Sequence, residues 1–240
     1  NIRWCTMTTH SADMNNDVSI TQSLVHLKEP KEVKSASETV EIFKTHGIRL
    51  VCFDIDLTLL NFHTGGALDI PIPSSSSALE NVLSSTFKDV AKGFTEDGIS
   101  LCRACFKEGI RIAFTSFGDA MENGRDMEKE LFTIGGEPLI KPAITLILGE
   151  EIVSNIGMFF LNPDWRNDDE PDERIHYPND KSWHIQQAMN KFFIDNTRQV
   201  VLIDDSLSNV IAARVQGCRG IVVPSEEGHG FAFKDVGSFD

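Results

Sequence analysis

Val51 to Leu60, VCFDIDLTLL, is an apolar run that opens onto two carboxylates and a threonine, and few folds have a place for it. Successive side chains of a β-strand alternate between faces, so Asp54 and Asp56 point the same way as such a strand ends. Two like charges brought together are costly unless something offsets them. A divalent cation or a transferring phosphoryl group would do so. In a doubly wound α/β plan, ligands bind beyond the carboxyl ends of the parallel strands, which is where these residues fall. A strand followed by an Asx-rich turn would read the same way locally, so the later polar residues have to decide between the two.

Residues 1 to 32 are polar and weakly patterned and read as an extension of low order; residues 33 to 240 read as one α/β domain. From Ser37 a helix is expected, stopped by Gly47, and Ile48 to Phe53 reads as a buried central strand. Gly65-Gly66 marks a turn in a flap beside that strand, and the Pro71 to Ser77 cluster marks a loop. Asn61 and His63 lie close enough in sequence to the carboxylates to touch a substrate, although a flap histidine bonding its own backbone is an equal reading. Helices are expected near Ala78 to Lys92 and Thr95 to Lys107. They are followed by the apolar run Ile110 to Phe114 and the hydroxyls Thr115 and Ser116.

The next stretch, GDAMENGRDMEKELF, reads as a helix, so the hydroxyls sit where a helix N-terminus would favour phosphate or would simply be capped. ITLIL and GMFFL read as strands or short helices. NPDWRNDDEPDERI reads as a solvated acidic loop that lacks the residue order of a calcium loop. Lys181 precedes a helix running to about Phe193. Gln199 to Ile203 reads as a strand ending in Asp204-Asp205, followed by a helix closed by Gly217 and the strand GIVVP. A second carboxylate pair at the level of the first argues for a shared metal.

A formal charge of −14 with a pI near 4.9 supplies no basic footprint for nucleic acid. No apolar run approaches the roughly 20 residues that span a bilayer, and the first residues lack a signal pattern. Five cysteines do not make a disulfide scaffold, and the lone pair Cys102 and Cys105 on a helical pattern reads as core packing rather than zinc. A reducing, cytoplasmic compartment is the simpler reading; a protein delivered into another cell would share this composition.

FDIDLTL resembles the DxDxT signature of the haloacid dehalogenase superfamily, whose members are mostly magnesium-dependent phosphatases. The order DxD, Ser116, Lys181, Asp204-Asp205 is similar to that superfamily's four motifs over about residues 48 to 224. The resemblance implies a Rossmann-like α/β fold with a parallel central sheet flanked by helices, a flap, and no large cap domain. It makes Asp54 the nucleophile that forms an aspartyl-phosphate and Asp56 the acid/base, with Asp56 also giving its carbonyl to Mg²⁺. Asp205 aligns best with the metal-ligating acid, with Asp204 assisting, so that Asp54, Asp56, Asp204 and Asp205 surround the ion. Ser116 and Lys181 hold the phosphoryl oxygens. Counting seven residues from Gly109 selects Ser116 over its neighbour Thr115.

The closing block, YPNDKSWHIQQAMNKFF through LIDDSLSNVI, looks like the capless magnesium-dependent phosphatases, a group associated with phosphotyrosine and with sugar phosphates. An open site suits a phosphorylated protein better than a small phosphate ester. A sugar phosphatase and a non-catalytic interaction module on the same fold are the alternatives. A response-regulator receiver places its lysine last, and here Asp204-Asp205 follows Lys181, which rejects that order. Sequence says nothing of oligomeric state.

Overall fold

Val51 and Phe53 face one side of β1 (Leu50–Phe53) and Leu50 and Cys52 the other, yet all four are fully buried. A strand apolar on both faces needs cover on both. In this computed structural model, which describes residues 33–65, 67–71, 75–119, 123–126, 131–161 and 180–239, β1 is the middle strand of five. The extension 1–32, the acidic segment 162–174, Gly66, Pro73 and Tyr177-Pro178 lie outside the described residues.

The sheet runs β6–β3–β1–β7–β8, all parallel, with β3 Arg111–Asp119, β6 Gly157–Leu161, β7 Val200–Asp204 and β8 Arg219–Val222. The larger core packs α1 (Ala36–Thr45), α3 (Glu96–Lys107) and α4 (Gly136–Leu148) on one face, through Phe43, Leu101, Cys102 and Leu139. The smaller core packs α6 (Ser182–Phe192) and α7 (Leu207–Val215) on the other, through Ile185, Met189 and Ala213. This is the doubly wound α/β arrangement expected from the sequence. The chain moves outward from β1 through β3 to β6 and then crosses to β7 and β8, so the order reverses between β1 and β7. Ligand crevices form at such points. Among the described residues, no helix is long and apolar enough to cross a membrane, and Cys52, Cys102, Cys105 and Cys218 are free and buried.

Helix boundaries follow local chemistry. Ser35 caps α1 by accepting the Glu38 amide, Ser75 caps α2 (Ser76–Lys92) by accepting that of Ala78, and Thr95 caps α3 by accepting that of Gly98. ITLIL belongs to α4, which is followed by the single turn α5 (Glu150–Val153), and GMFFL is β6.

The helix expected over GDAMENGRDMEKELF is a correction. β3 continues to Asp119, and β4 (Asn123–Asp126) and β5 (Leu131–Gly135) join β2 (Ala67–Pro71) in a separate antiparallel sheet ordered β2–β5–β4. Ile70 and Ile134 are buried there, and Thr133 Oγ1 donates to Asp69 Oδ1 at 2.5 Å across the β2–β5 pair. Helix propensity among Met, Glu, Lys and Leu is a preference of tenths of a kcal/mol per residue, which a ladder of backbone bonds and a buried face override. The flap expected beside β1 is therefore one strand of a small three-stranded sheet.

The segment after β8 returns beneath the loop that follows β1. Gly228 N–H donates to Asn61 O and Phe231 N–H to Thr58 O, both at 2.7 Å. Phe231 is buried edge-on against Phe53, ring centroids 6.3 Å apart. Gly230, at φ +64°, leaves no space for a side chain, since a Cβ there would lie 2.4 Å from Thr95 Cγ2.

Candidate active site

Two oxygens and an aromatic ring surround one buried ammonium at the reversal point of the sheet. Lys181 is 1% exposed; its Nζ donates to Asp54 Oδ1 at 2.8 Å and to Thr115 O at 2.8 Å, and sits 4.2 Å from the Phe117 ring centroid. A lysine is almost never this buried without a partner, and here the partners come from β1 and β3. Removing a charge pair from water carries a large penalty that only close, fully hydrogen-bonded geometry offsets.

Asp54 follows β1 in extended backbone, and Asp56 is extended as well. Ile55, between them, is 1% exposed in the core and opens a helical turn, Ile55–Leu59, that Asp56 and Leu57 interrupt. Leu57 then takes a left-handed φ of +58° and its amide donates to Phe62 O at 3.2 Å, turning the chain.

Asp56 is held by the flap. Thr64 Oγ1 lies 3.0 and 2.9 Å from its two oxygens, and His63 Nδ1 lies 2.9 Å from Oδ2. The Gly65 amide donates to that same Nδ1 at 2.8 Å, so His63 both bonds its own backbone and meets Asp56. Burial raises the Asp56 carboxyl above its usual range, the Thr64 hydrogen bond and His63 oppose this, and the Asp54 charge reinforces it.

Ser116 and Thr115 part company at the end of β3. Thr115 Oγ1 donates to Phe53 O at 3.1 Å, fully buried between strands, and does not line the cavity. Ser116 does line it, and its Oγ accepts the Gly118 amide at 3.0 Å, which leaves the hydroxyl proton for a ligand.

α6 reaches β3 twice. Three residues after Lys181, His184 is fully buried, and its Nε2–H donates to Ser116 O at 3.0 Å. Burial, then the Lys181 charge, lower the His184 pKa to about 3, so the ring is a neutral donor throughout the physiological range. One helical turn thus grips the carbonyls of Thr115 and Ser116 with two side chains. His184 and Thr64 were absent from the sequence-derived site. The signal for His184 was its i, i+3 spacing from Lys181, which puts both on one helix face.

Asp204 closes β7 with no exposure. Its Oδ1 accepts the Ser206 amide at 2.8 Å, and Asn209 Nδ2 lies 3.0 and 3.1 Å from its two oxygens. Burial, then the Asp54 charge, raise its pKa to about 7. Burial, then Asp54, also raise that of the more exposed Asp205. Asp54, Asp56, Asp204 and Asp205 line one cavity of about 390 Å³ together with Ser116, Phe117 and His63.

Among the described residues, no group of three or more His, Cys, Asp or Glu side chains could hold a metal ion by itself. Magnesium does not demand such a cage, since it takes one or two carboxylates, keeps several waters and adds substrate oxygens. An all-oxygen donor set in which burial and the Asp54 charge raise Asp56, Asp204 and Asp205 fits a hard cation of that kind.

The raised acids have a consequence for the metal-free protein. Folded Asp204 keeps its proton to about pH 7, whereas an unfolded Asp releases it near 3.8. Between those values the folded state binds more protons, so stability falls as pH rises from about 4 through about 7, with Asp56 and Asp205 acting in the same direction. The urea midpoint of metal-free protein should decline across this window, and Asp204→Asn, which cannot ionise, should flatten the decline. An identical slope in the variant would remove Asp204 as its source.

No family model matches the chain, and no curated protein matches it. Among solved structures it is similar to DsGPDH of Dunaliella salina at 12% identity and a TM-score of 0.39, over 82% of this chain and 28% of that one. It is also similar to a phosphoserine phosphohydrolase-like protein from Francisella tularensis subsp. tularensis SCHU S4 (15% identity, TM-score 0.35, 73% of this chain and 87% of that one). A third is CbbY from Rhodobacter sphaeroides in complex with phosphate (16% identity, TM-score 0.35, 79% of this chain and 96% of that one). The chain thus spans little more than a quarter of the first of these structures.

Proposed function

We propose that this chain is a phosphomonoester hydrolase of the haloacid dehalogenase type, working through a phosphorylated Asp54. The observation that carries the reading is the buried Lys181 ammonium, 2.8 Å from Asp54 Oδ1 and 2.8 Å from the Thr115 carbonyl next to Ser116, where Asp54 and Ser116 line one cavity with Asp56, Asp204 and Asp205. Acids, hydroxyl and lysine far apart in sequence meet at the crevice where this sheet class binds ligands.

Asp54 Oδ1 is engaged by Lys181, so attack on phosphorus falls to Oδ2. The new O–P bond forms as the ester P–O bond breaks, and Asp56, acting as the general acid in its protonated form, which its burial favours, gives its proton to the leaving oxygen. Asp56, now a carboxylate, then takes a proton from water, whose oxygen attacks phosphorus and releases inorganic phosphate with Asp54 restored. Ser116 Oγ–H donates to a phosphoryl oxygen, and Lys181 offsets the negative charge around Asp54. His184 holds the Ser116 backbone in place for this. Mg²⁺, when bound by Asp54, Asp205, the Asp56 carbonyl and Asp204 directly or through water, would neutralise charge on the transferring phosphoryl group.

The substrate class in this proposal is a phosphorylated protein side chain, phosphotyrosine foremost. The decisive test is hydrolysis of p-nitrophenyl phosphate with Mg²⁺ and its loss in EDTA, restored by added Mg²⁺. Activity indifferent to EDTA would overturn the metal-assisted mechanism, and strong preference for sugar phosphates over phosphotyrosine peptides would overturn the substrate.

A further inference from the structure

Phe117 is an apolar ring placed where the chemistry proposed for this cavity has no use for one. Of the six exposed large hydrophobic residues among those described, Phe117 at 42% exposure is the only one that lines the acidic cavity. It directly follows Ser116, the residue assigned to the phosphoryl oxygens. The ring does not swing freely, because Lys181 Nζ stands 4.2 Å from its centroid and the buried His184 ring meets it edge-on at 5.1 Å and 87°. Two buried groups, both anchored to β3 carbonyls, therefore hold an exposed aromatic surface at a set position beside the phosphate site.

The other side of the cavity offers few groups for a polar alcohol. Ser206 and Ser208 hydroxyls bond each other at 2.8 Å, and the Asn209 amide nitrogen is committed to Asp204. The acidic lining disfavours a leaving group that carries its own negative charge. A sugar brings several hydroxyls that would lose water without gaining partners against a phenyl ring. A flat aromatic alcohol brings a surface that stacks on one.

We infer that Phe117 is the leaving-group subsite of this cavity and that it selects phosphomonoesters of aromatic alcohols over those of polar aliphatic ones. This rests on the phosphatase reading and adds to it a residue that sets the substrate class. The contact exists before and during phosphoryl transfer, so its removal acts on KM more than on kcat.

The test compares kcat/KM for 2-naphthyl phosphate and glycerol 2-phosphate, and binding of phenylphosphonate and methylphosphonate, in the wild-type chain, Phe117→Ala and Phe117→Trp. Taking each ester relative to its own wild-type value cancels the different reactivities of the leaving groups. Phe117→Ala should lower naphthyl relative to glycerol turnover about tenfold, mainly through KM, the size of one aromatic contact. It should weaken phenylphosphonate relative to methylphosphonate by a similar factor, and Phe117→Trp should keep the aromatic preference. Equal losses on both esters would show that the ring only props Lys181, and would overturn the subsite while leaving the phosphatase reading intact. A wild-type chain that hydrolyses neither ester and binds neither phosphonate would overturn both.

Discussion

Asp54→Asn should abolish phosphatase turnover, on the order of 10⁴-fold or more, while leaving the protein folded. Asn has the shape of Asp, and its carbonyl oxygen accepts the Lys181 hydrogen bond that Asp54 Oδ1 accepts at 2.8 Å, but a neutral amide does not attack phosphorus. The electrostatics also favour survival of the fold. The Asp54 charge is one cause of the raised Asp204 pKa, and Lys181 acts on Asp204 in the opposite sense. With Asp54 neutral, Asp204 ionises at lower pH and supplies the negative charge that keeps Lys181 company. Phosphate release by the variant, measured with circular dichroism and a urea titration on the same sample, checks both halves. Retained activity would mean another nucleophile.

Lys181→Met should be the more damaging change for stability. It leaves Asp54, 8% exposed, and Asp204, with no exposure, without the cation that both face, and it strips the Thr115 carbonyl of its ammonium donor. Breaking a buried pair from one side costs about 3–5 kcal/mol, which for a chain of this size lowers the melting temperature by roughly 6–20 °C. The double variant Asp54→Asn/Lys181→Met removes both charges and should regain part of that loss, because no charge is then stranded beside Asp204 by the first pair. Melting curves of the four proteins form a thermodynamic cycle. A double variant whose loss is the sum of the two single losses would show that Lys181 and Asp54 do not act as a pair.

These expectations started from local signals and were sharpened by contacts that no local signal contains. Strand ends and helix starts are set by neighbours in sequence. The apolar run that delivers Asp54 and Asp56 beyond the end of a buried strand was readable at residues 51 to 56. So was the stopping of α1 and α7 by Gly47 and Gly217. Residues 118 to 135 were not. Their composition favours helix, and what makes Leu131–Gly135 a strand, with Asn123–Asp126 beside it, is pairing with β2, whose Asp69 lies 64 residues from Thr133. The same limit hid Thr115: nothing local distinguishes a hydroxyl turned to a neighbouring strand from one turned to a ligand, and only the carbonyl of Phe53, 62 residues away, decides it.

By itself the amino-acid sequence determined a parallel, doubly covered sheet and the order in which acids, hydroxyl and lysine arrive at its carboxyl edge, because apolar alternation and element punctuation are properties of neighbouring residues. Tertiary structure alone decided what those side chains touch. Lys181 reaches Asp54 across 127 residues, His184 takes the Ser116 carbonyl across 68, and Phe117 is left showing its ring to the cavity between them. Buried charges and hydrogen bonds take their strength from distance and from the exclusion of water, and both exist only once the sheet has closed.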